Sequence, residues 1–334
     1  NGLLPVGYGD SNGDGIQEVL LMGGYKSAIY QFNKETGRLF DKPIFESPNT
    51  KSFWADKFFD IDKDGRQDII AYRNDPAERS YFVYSYKNGK YDSIATAKIP
   101  DNFKFRDLSK SCVIDDLDKD GIYELAFSNE SGQLFIFKYQ DNKFNLQFVD
   151  STIISQSTQM LENIDIDGDG KQEIIQINYG SKELFNANSQ SEAIWTIRII
   201  KHKENSIYEE IYKDHIWGVR AGFTKQGWGF RNGLSKGNID NKPGDEIIIS
   251  TFPNLYALKW NNETKKLENF WYYPSTLSNS VIVEDFDGNG INEIGISTFN
   301  STTFFEFEKS FNGPAVPNDF DGWALSDTTC TLNW

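Results

Sequence analysis

Several residue types are scarce in this chain, and each scarcity excludes a class of protein. Its 334 residues include two cysteines, two methionines and two histidines. Two cysteines, Cys112 and Cys330, are too few for a disulfide scaffold, and we expect both to be unpaired. No stretch reaches the roughly 18 apolar residues of a membrane-spanning helix, so we expect no membrane insertion. No apolar period of 3.6 residues is sustained, which argues against a helical fold.

Positive charge is also in short supply. The formal net charge is −15 at pH 7. Nucleic-acid binding depends on lysine and arginine facing phosphates, so this balance argues against a nucleic-acid partner. The first residue is Asn1, and no apolar signal segment follows it. We therefore expect a processed protein or a piece of a longer multidomain chain.

Glycine and aromatic residues, in contrast, are abundant. The chain has 27 glycines, and aromatic residues make up 15% of it. This composition favours many short strands joined by tight turns. The length suffices for one large all-β domain or two ordinary ones.

A nine-residue pattern recurs six times along the chain. It reads D-x-[DN]-x-[DN]-G-x-x-[DE], and an apolar run follows each copy. A unit of four strands with short turns needs about the length that separates the copies. The repeats therefore predict an all-β fold, a β-propeller of four-stranded blades, with six repeats seen and a seventh blade possible outside the chain. The copies start at Asp10, Asp60, Asp116, Asp165, Asn238 and Asp285, at spacings of 47 to 73 residues.

The chemistry of the pattern suits Ca²⁺, which takes six to eight oxygen ligands. Side chains at positions 1, 3 and 5 can converge on one point, with a backbone carbonyl from position 7 and the acid at position 9 completing the shell. Glycine at position 6 permits the turn. We predict about five calcium sites. Their ligands are Asp10, Asn12, Asp14, Ile16 and Glu18; Asp60, Asp62, Asp64, Arg66 and Asp68; Asp116, Asp118, Asp120, Ile122 and Glu124; Asp165, Asp167, Asp169, Lys171 and Glu173; and Asp285, Asp287, Asn289, Ile291 and Glu293.

Three other interpretations compete with structural calcium sites. An EF-hand needs glutamate at position 12 between two helices. Two further alternatives, a metal-free polar turn and a catalytic carboxylate cluster, are disfavoured by the repetition at blade spacing. The eighteen acidic ligands also exceed the net charge of −15 and account for it. Position 12 of the five intact loops holds Leu21, Ala71, Phe127, Gln176 and Ile296, none of which suits an EF-hand.

The fifth copy departs from the pattern. Asn238 and Glu246 keep its first and last positions, but Lys242 and Pro243 occupy the fifth and sixth. A lysine ammonium could replace the cation, or Asp245 could serve as a ligand. We expect this loop to bind calcium weakly or not at all.

The loops and the β runs that trail them resemble the FG-GAP and VCBS repeats of integrin-type β-propellers and of many bacterial secreted proteins. The resemblance covers about residues 1–310 and implies that each calcium loop joins the first two strands of a blade. We assign residues 1–312 to the propeller. Residues 313–334, with Pro314, Pro317 and Trp334, resemble the truncated start of a fibronectin type III module, which needs about 100 residues. A closing strand of the propeller is the alternative.

These features together favour a non-catalytic, calcium-stabilised scaffold or adhesion module of a larger secreted or cell-surface protein. Its partner would be an extracellular protein or glycan. No nucleophile, metal-hydrolase or phosphate-loop motif stands at usable spacing, so we expect no enzymatic activity. A lectin-like glycan binder is the alternative, and a propeller polysaccharide lyase is a weaker one. Aromatic residues and arginine in segment 195–231 suit partner recognition, although they also suit a blade core.

Overall fold

The computed structural model contains strands and turns and no helix in the residues it describes. The described residues therefore include no helix that is long and apolar enough to cross a membrane. The described residues are 4–23, 26–48, 53–73, 79–103, 108–129, 131–152, 157–179, 194–204, 206–217, 234–251, 254–273, 280–297, 302–307, 321–326 and 329–333.

Two compact units divide the chain. The first comprises Asn1–Asn163, Asn178–Leu184 and His202–Glu209, and the second comprises Ile164–Ile177, Phe185–Lys201 and Glu210–Trp334. Each unit is built from successive antiparallel sheets whose strands follow one another in chain order.

The first unit begins with three complete sheets. The first sheet has the order β1-β2-β3-β4, with β5 also pairing with β3, and the next two sheets are β6-β7-β8-β9 and β10-β11-β12-β13. Their strands are β1 Leu4–Gly9, β2 Glu18–Gly23, β3 Lys26–Asn33, β4 Arg38–Leu39, β5 Phe45–Glu46, β6 Trp54–Phe59, β7 Asp68–Arg73, β8 Ser80–Lys87, β9 Lys90–Lys98, β10 Leu108–Asp115, β11 Glu124–Asn129, β12 Leu134–Gln140 and β13 Lys143–Asp150.

The fourth sheet contains the division between the units, and the later sheets lie in the second unit. The fourth and fifth sheets have the orders β14-β15-β16-β17 and β18-β19-β20-β21, and the sixth has three described strands, β22-β23-β24. A last hairpin pairs β25 with β26. Their strands are β14 Ser157–Ile164, β15 Glu173–Tyr179, β16 Ile194–Glu204, β17 Ile207–Trp217, β18 Leu234–Gly237, β19 Glu246–Thr251, β20 Asn254–Asn261, β21 Lys266–Tyr273, β22 Ser280–Glu284, β23 Glu293–Ser297, β24 Thr302–Phe305, β25 Asp321–Ser326 and β26 Thr329–Asn333.

The inner strands are rich in β-branched and aromatic residues because both of their faces are covered. Every residue of β11 is buried, and so is every residue of β7 except Arg73. Adjacent sheets pack face to face within each unit. Tyr81 of the second sheet lies 4.5 Å from Phe127 of the third, measured between ring centroids. Such aromatic pairs add to the free energy gained from burying their area.

Six successive antiparallel sheets of this kind are the blades of a β-propeller, and the predicted fold class is confirmed. The predicted position of the acidic loops is confirmed too, because each one joins the first two strands of its sheet. Cys112 is a free, buried cysteine, as expected. The side chain of Cys330 lies outside the described residues. The boundary at residue 312 and the fibronectin type III interpretation stay predictions.

Candidate metal centres

The five intact loops share two left-handed backbone positions, and the altered loop at Asn238 keeps the first of them. The residue at position 4 has a positive φ in each loop, and so does the glycine at position 6 in each of the five intact loops. A left-handed backbone strains most side chains but not glycine, which explains the glycine at position 6. Gly65 and Gly121 have φ values of 88° and 87°. Position 4 accepts Lys63 and Lys119 at φ values of 59° and 60°.

The closing acid at position 9 is the most buried acid of each loop. One of its oxygens accepts a hydrogen bond from the backbone N–H at position 2, which fixes the loop across its first and second strands. This bond is present in all six loops, including the one that departs from the pattern. The donors and acceptors are Ser11 and Glu18 at 2.8 Å, Ile61 and Asp68 at 3.1 Å, Leu117 and Glu124 at 2.8 Å, Ile166 and Glu173 at 3.0 Å, Ile239 and Glu246 at 2.9 Å, and Phe286 and Glu293 at 2.8 Å.

The acid at position 1 is held by the glycine at position 6. One oxygen of Asp116 accepts the N–H of Gly121 at 2.8 Å, and Asp165 accepts that of Gly170 at 2.9 Å. The same bond is made by Asp10, Asp60 and Asp285. Each loop therefore orients its acids through the backbone. In the loops at Asp60, Asp116, Asp165 and Asp285, one oxygen of the acid at position 9 accepts no hydrogen bond from the described residues. In the loops at Asp116 and Asp165 the same holds for one oxygen of the acid at position 1.

In five loops these acids converge. Carboxylate oxygens from three residues lie within 4.8 Å of one another in each cluster. Two oxygens bound to one calcium ion at roughly 2.3–2.6 Å can be at most about 5 Å apart, so the spacing fits. The clusters are Asp10, Asp14 and Glu18; Asp60, Asp62 and Asp68; Asp116, Asp118 and Glu124; Asp165, Asp167 and Glu173; and Asp285, Asp287 and Glu293.

Buried oxygens without hydrogen bonds provide a second, independent sign of a cation. Buried polar atoms are normally hydrogen-bonded, and leaving one without a partner costs about 1–3 kcal/mol. Asp68 is 1% exposed and Glu293 is 6% exposed, yet Asp68 Oδ1 and Glu293 Oε1 accept no hydrogen bond from the residues that the structure describes. The same holds for Asp62 Oδ1, Asp116 Oδ1, Asp165 Oδ1 and Asn238 Oδ1. Glu124 Oε1 and Glu173 Oε1 also lack a hydrogen bond, but a lysine ammonium lies 3.2 Å and 2.9 Å from them.

The electrostatics of the clusters favour bound positive charge. Burial raises the pKa of Glu124 from 4.5 to about 7, and the charge of Asp118 adds to the rise. Burial likewise raises the pKa of Glu173 to about 7 and that of Asp68 to about 6. A raised carboxyl pKa means that the site resists negative charge, and a divalent cation would relieve that cost.

Some of the predicted ligands take other partners. Asp64 pairs with Arg66, whose side chain lies beside it. Asp120 and Asp169 pair with lysines from the third strand of their blades, Lys138 and Lys201. The backbone carbonyls predicted at position 7 stay predictions, although the N–H groups there donate to the acid or amide at position 5.

These lysines are the main feature that the sequence analysis missed. Lys138 Nζ lies 2.7 Å from Asp118 Oδ2, 2.5 Å from Asp120 Oδ2 and 3.2 Å from Glu124 Oε1. The last contact is an ion pair without hydrogen-bond geometry. Burial lowers the pKa of Lys138, but its three carboxylate partners outweigh burial and raise it above its ordinary range. The only signal in the sequence is a lysine that directly follows an apolar run.

Lys201 does the same in the next blade. Its Nζ lies 2.7 Å from Asp167 Oδ2, 2.7 Å from Asp169 Oδ2 and 2.9 Å from Glu173 Oε1. Its side chain is only 13% exposed, so the ammonium lies inside the cluster and not in solvent.

The fifth loop also holds a lysine, but not the one that the sequence suggested. Lys259 Nζ lies 2.6 Å from Asp240 Oδ2 and 2.7 Å from Glu246 Oε1. Lys242 is 70% exposed and only approaches Asp240, at 3.5 Å. The backbone N–H of Asp245 donates to the carbonyl of Asp165 at 2.9 Å. The tethered ammonium of Lys259 thus fits the first of the two alternatives raised for this loop.

The two histidines lie on β16 and β17, outside the acidic clusters. His215 Nδ1 is 3.1 Å from Thr196 Oγ1, and the ring of His202 packs edge-on against Tyr208. Part of segment 195–231, proposed for partner recognition, lies outside the described residues, including residues 218–231 and the side chain of Trp195.

Comparisons with known proteins give no family. No family model matches the chain, and no curated protein matches it either. Among solved structures, a 6-phosphogluconolactonase-like protein of Bacteroides uniformis is similar, with 14% identity, a TM-score of 0.49, and coverage of 80% of this chain and 71% of that one. Saccharomyces cerevisiae Sqt1 is similar with 9% identity, a TM-score of 0.48, and coverage of 97% and 90%. Likenesses this distant carry no functional argument.

Proposed function

We propose that this chain is a calcium-stabilised, non-catalytic extracellular module that serves as a scaffold or adhesion unit of a larger secreted or cell-surface protein. The observation that carries the proposal is the set of buried loop oxygens that accept no hydrogen bond, such as Asp68 Oδ1 and Glu293 Oε1. A cation bound to them would replace like-charge repulsion with coordination.

The donor set supports calcium over softer metals. The five clusters contain only carboxylates, with no cysteine or histidine. Hard cations such as Ca²⁺ prefer oxygen, whereas zinc and copper sites recruit nitrogen and sulfur. Mg²⁺ demands near-ideal octahedral geometry at a shorter distance, which makes it the natural control ion.

The repetition of the clusters supports a structural role. Each lies in the loop between the first two strands of its blade, so each ion would stabilise one hairpin. Catalysis requires different groups converging on one substrate. The acids here instead form five similar clusters, one on each of five blades.

The proposed extracellular location is supported by the calcium affinities that are usual for extracellular modules. Calcium sites of extracellular modules have dissociation constants of about 10⁻⁴–10⁻³ M, which the calcium outside cells can fill and cytosolic calcium cannot. Fractionation of the native host with detection by mass spectrometry checks this point, and recovery mainly from cytoplasm would contradict it.

The central test is a thermal melt of the chain in calcium, in magnesium and in chelator. A site filled at 100 times its dissociation constant stabilises the fold by about 2.7 kcal/mol, and several sites together should raise the midpoint by about 10 °C or more. Magnesium should restore little of that rise. A midpoint that is equal in calcium and chelator would show that the loops are ordinary turns.

A further inference from the structure

One position on the third strand of each blade faces the closing acid and differs in charge between loops. Glu18 pairs with Gln31, and Glu124 pairs with Lys138. This position is therefore the direct cross-strand neighbour of the closing acid. Ile69 pairs with Tyr84, Ile247 with Leu258 and Ile294 with Phe305. One residue farther along, the same register places Ser85, Lys259 and Glu306 opposite the closing acids of their loops.

In two of the intact loops a lysine of the third strand reaches the closing acid, whereas Lys87, beside the loop at Asp60, reaches only Asp62, at 3.1 Å. Lys138 and Lys201 each contact three carboxylates of their loop within 3.2 Å, and each side chain is 13% exposed. Those carboxylates include the closing acids Glu124 and Glu173, which are 1% and 0% exposed. Two of the three clustered acids in each loop, at positions 3 and 9, thus already contact a cation.

Two other intact loops have no such cation. Gln31 offers an amide to the loop at Asp10, with Nε2 2.7 Å from Asp14 Oδ2. Glu306 lies beside the loop at Asp285 and accepts a hydrogen bond from Asn289 Nδ2 at 3.1 Å. Glu306 adds negative charge to a loop with three acids, whereas Lys138 offsets one of four.

We propose that Lys138 and Lys201 are tethered cations that neutralise the loops at Asp116 and Asp165 when calcium is absent, and that calcium must displace them to bind. This inference rests on the proposed calcium function. Its consequence is an inverted order of affinity. The loops at Asp116 and Asp165 bind calcium more weakly than those at Asp10 and Asp285, although they carry more acids.

The inversion has a physical cause. An ammonium that makes charge-assisted hydrogen bonds to several carboxylates is a competing ligand at effectively fixed, high local concentration. The net free energy of calcium binding is then the free energy of coordination less the free energy of the lysine contacts that calcium breaks. The same competition makes these two loops less dependent on metal for their shape.

The experiment combines calorimetric titration of calcium into chelator-stripped protein with melts in calcium and in chelator. The variants are Lys138→Gln and Lys201→Gln, which copy the natural glutamine at position 31. Lys203→Gln is the matched control, because Lys203 is 45% exposed and pairs with Glu209 outside any cluster. We expect two weak sites in the wild-type chain. Each glutamine variant should tighten one of them by about tenfold, within the usual range of roughly 5–150-fold for coupling between two bound groups.

The melts separate competition from a general loss of packing. Each glutamine variant should melt lower than the wild type in chelator, yet recover most of the difference in calcium. Lys203→Gln should match the wild type in both. If calcium binds but Lys138→Gln and Lys201→Gln have the affinities of Lys203→Gln, the tethered-cation inference is wrong while the calcium function stands. If the wild-type chain binds no calcium at all, both are wrong.

A reverse substitution keeps the test decisive if the lysine variants fold poorly. Gln31→Lys places an ammonium at the equivalent position of the loop at Asp10. We expect it to weaken one tight calcium site by about tenfold and to raise the midpoint in chelator. Unchanged affinity in Gln31→Lys would overturn the inference independently.

Discussion

The loops at Asp165 and Asn238 lie in the same unit and differ in a way that separates two tasks. Both keep the hydrogen bond from position 2 to the closing acid, at 3.0 Å to Glu173 and 2.9 Å to Glu246. Only the loop at Asp165 keeps acids at positions 1, 3 and 5.

The difference teaches that the closing acid is part of the architecture and the other acids are not. The loop at Asn238 keeps the positive φ at position 4 and the hydrogen bond to the closing acid, although its left-handed glycine is Gly244, one residue after Pro243. Its own lysine, Lys259, bridges the two remaining acids. A loop can therefore lose its metal ligands without losing its fold, provided that a cation remains beside the buried acid.

The largest expected effect is a calcium-dependent one in the loop at Asp165. Asp167→Ala removes one of its clustered acids. At calcium concentrations high enough to displace Lys201 and fill this weaker site, we expect a loss of up to about 2.7 kcal/mol. Asp240→Ala is the matched control, because its carboxylate pairs with Lys259 in the loop that lacks the intact pattern. Melts of both variants in calcium and chelator measure the difference.

Asp167→Ala and Asp240→Ala should differ in how much calcium raises their melting midpoints. The gap between the calcium and chelator midpoints should shrink for Asp167→Ala and stay at its wild-type size for Asp240→Ala. Equal shrinkage in both would mean that the loop at Asn238 is also a calcium site.

A smaller, metal-independent effect is expected from the closing acid of the loop at Asn238. Glu246 is fully buried, and Glu246→Ala leaves the N–H of Ile239 without its acceptor and removes one of the two carboxylates that hold Lys259. We expect a loss of about 2 kcal/mol that is the same with and without calcium. Glu246→Gln keeps an acceptor oxygen and should cost less. Urea unfolding of both variants measures the loss in the free energy of unfolding. If calcium reverses that loss, the architectural role of Glu246 is refuted.

The smallest expected effect is a pH dependence in chelator. The pKa values of Glu124 and Glu173 are about 7 in the folded chain, against an ordinary value of 4.5. Between these values the folded protein binds more protons than the unfolded one, so stability falls as pH rises from about 4.5 through about 7. Calcium should remove that fall, because it favours the deprotonated acids. Melts across this range test the sign, and a midpoint in chelator that rises with pH would contradict it.

Much of the site was predictable because its parts are close in sequence. The hydrogen bonds from Gly121 to Asp116 and from Leu117 to Glu124 span five and seven residues. Such contacts follow from the spacing of acids and glycine alone, which is why the cluster of Asp116, Asp118 and Glu124 forms as expected. The blade architecture was predictable for a related reason, since each repeat contains its own strands and turns.

The sequence by itself determined the propeller, the position of each acidic loop and the acids that converge there. Only the tertiary structure decided which charge faces each cluster. Lys138 lies 14 residues beyond Glu124, and the two meet because β11 and β12 pair in one register. A shift of one residue would turn Lys138 to the opposite face of the sheet, because side chains alternate along a strand. Register depends on the packing of whole sheets, so no local pattern could show that an ammonium enters the site.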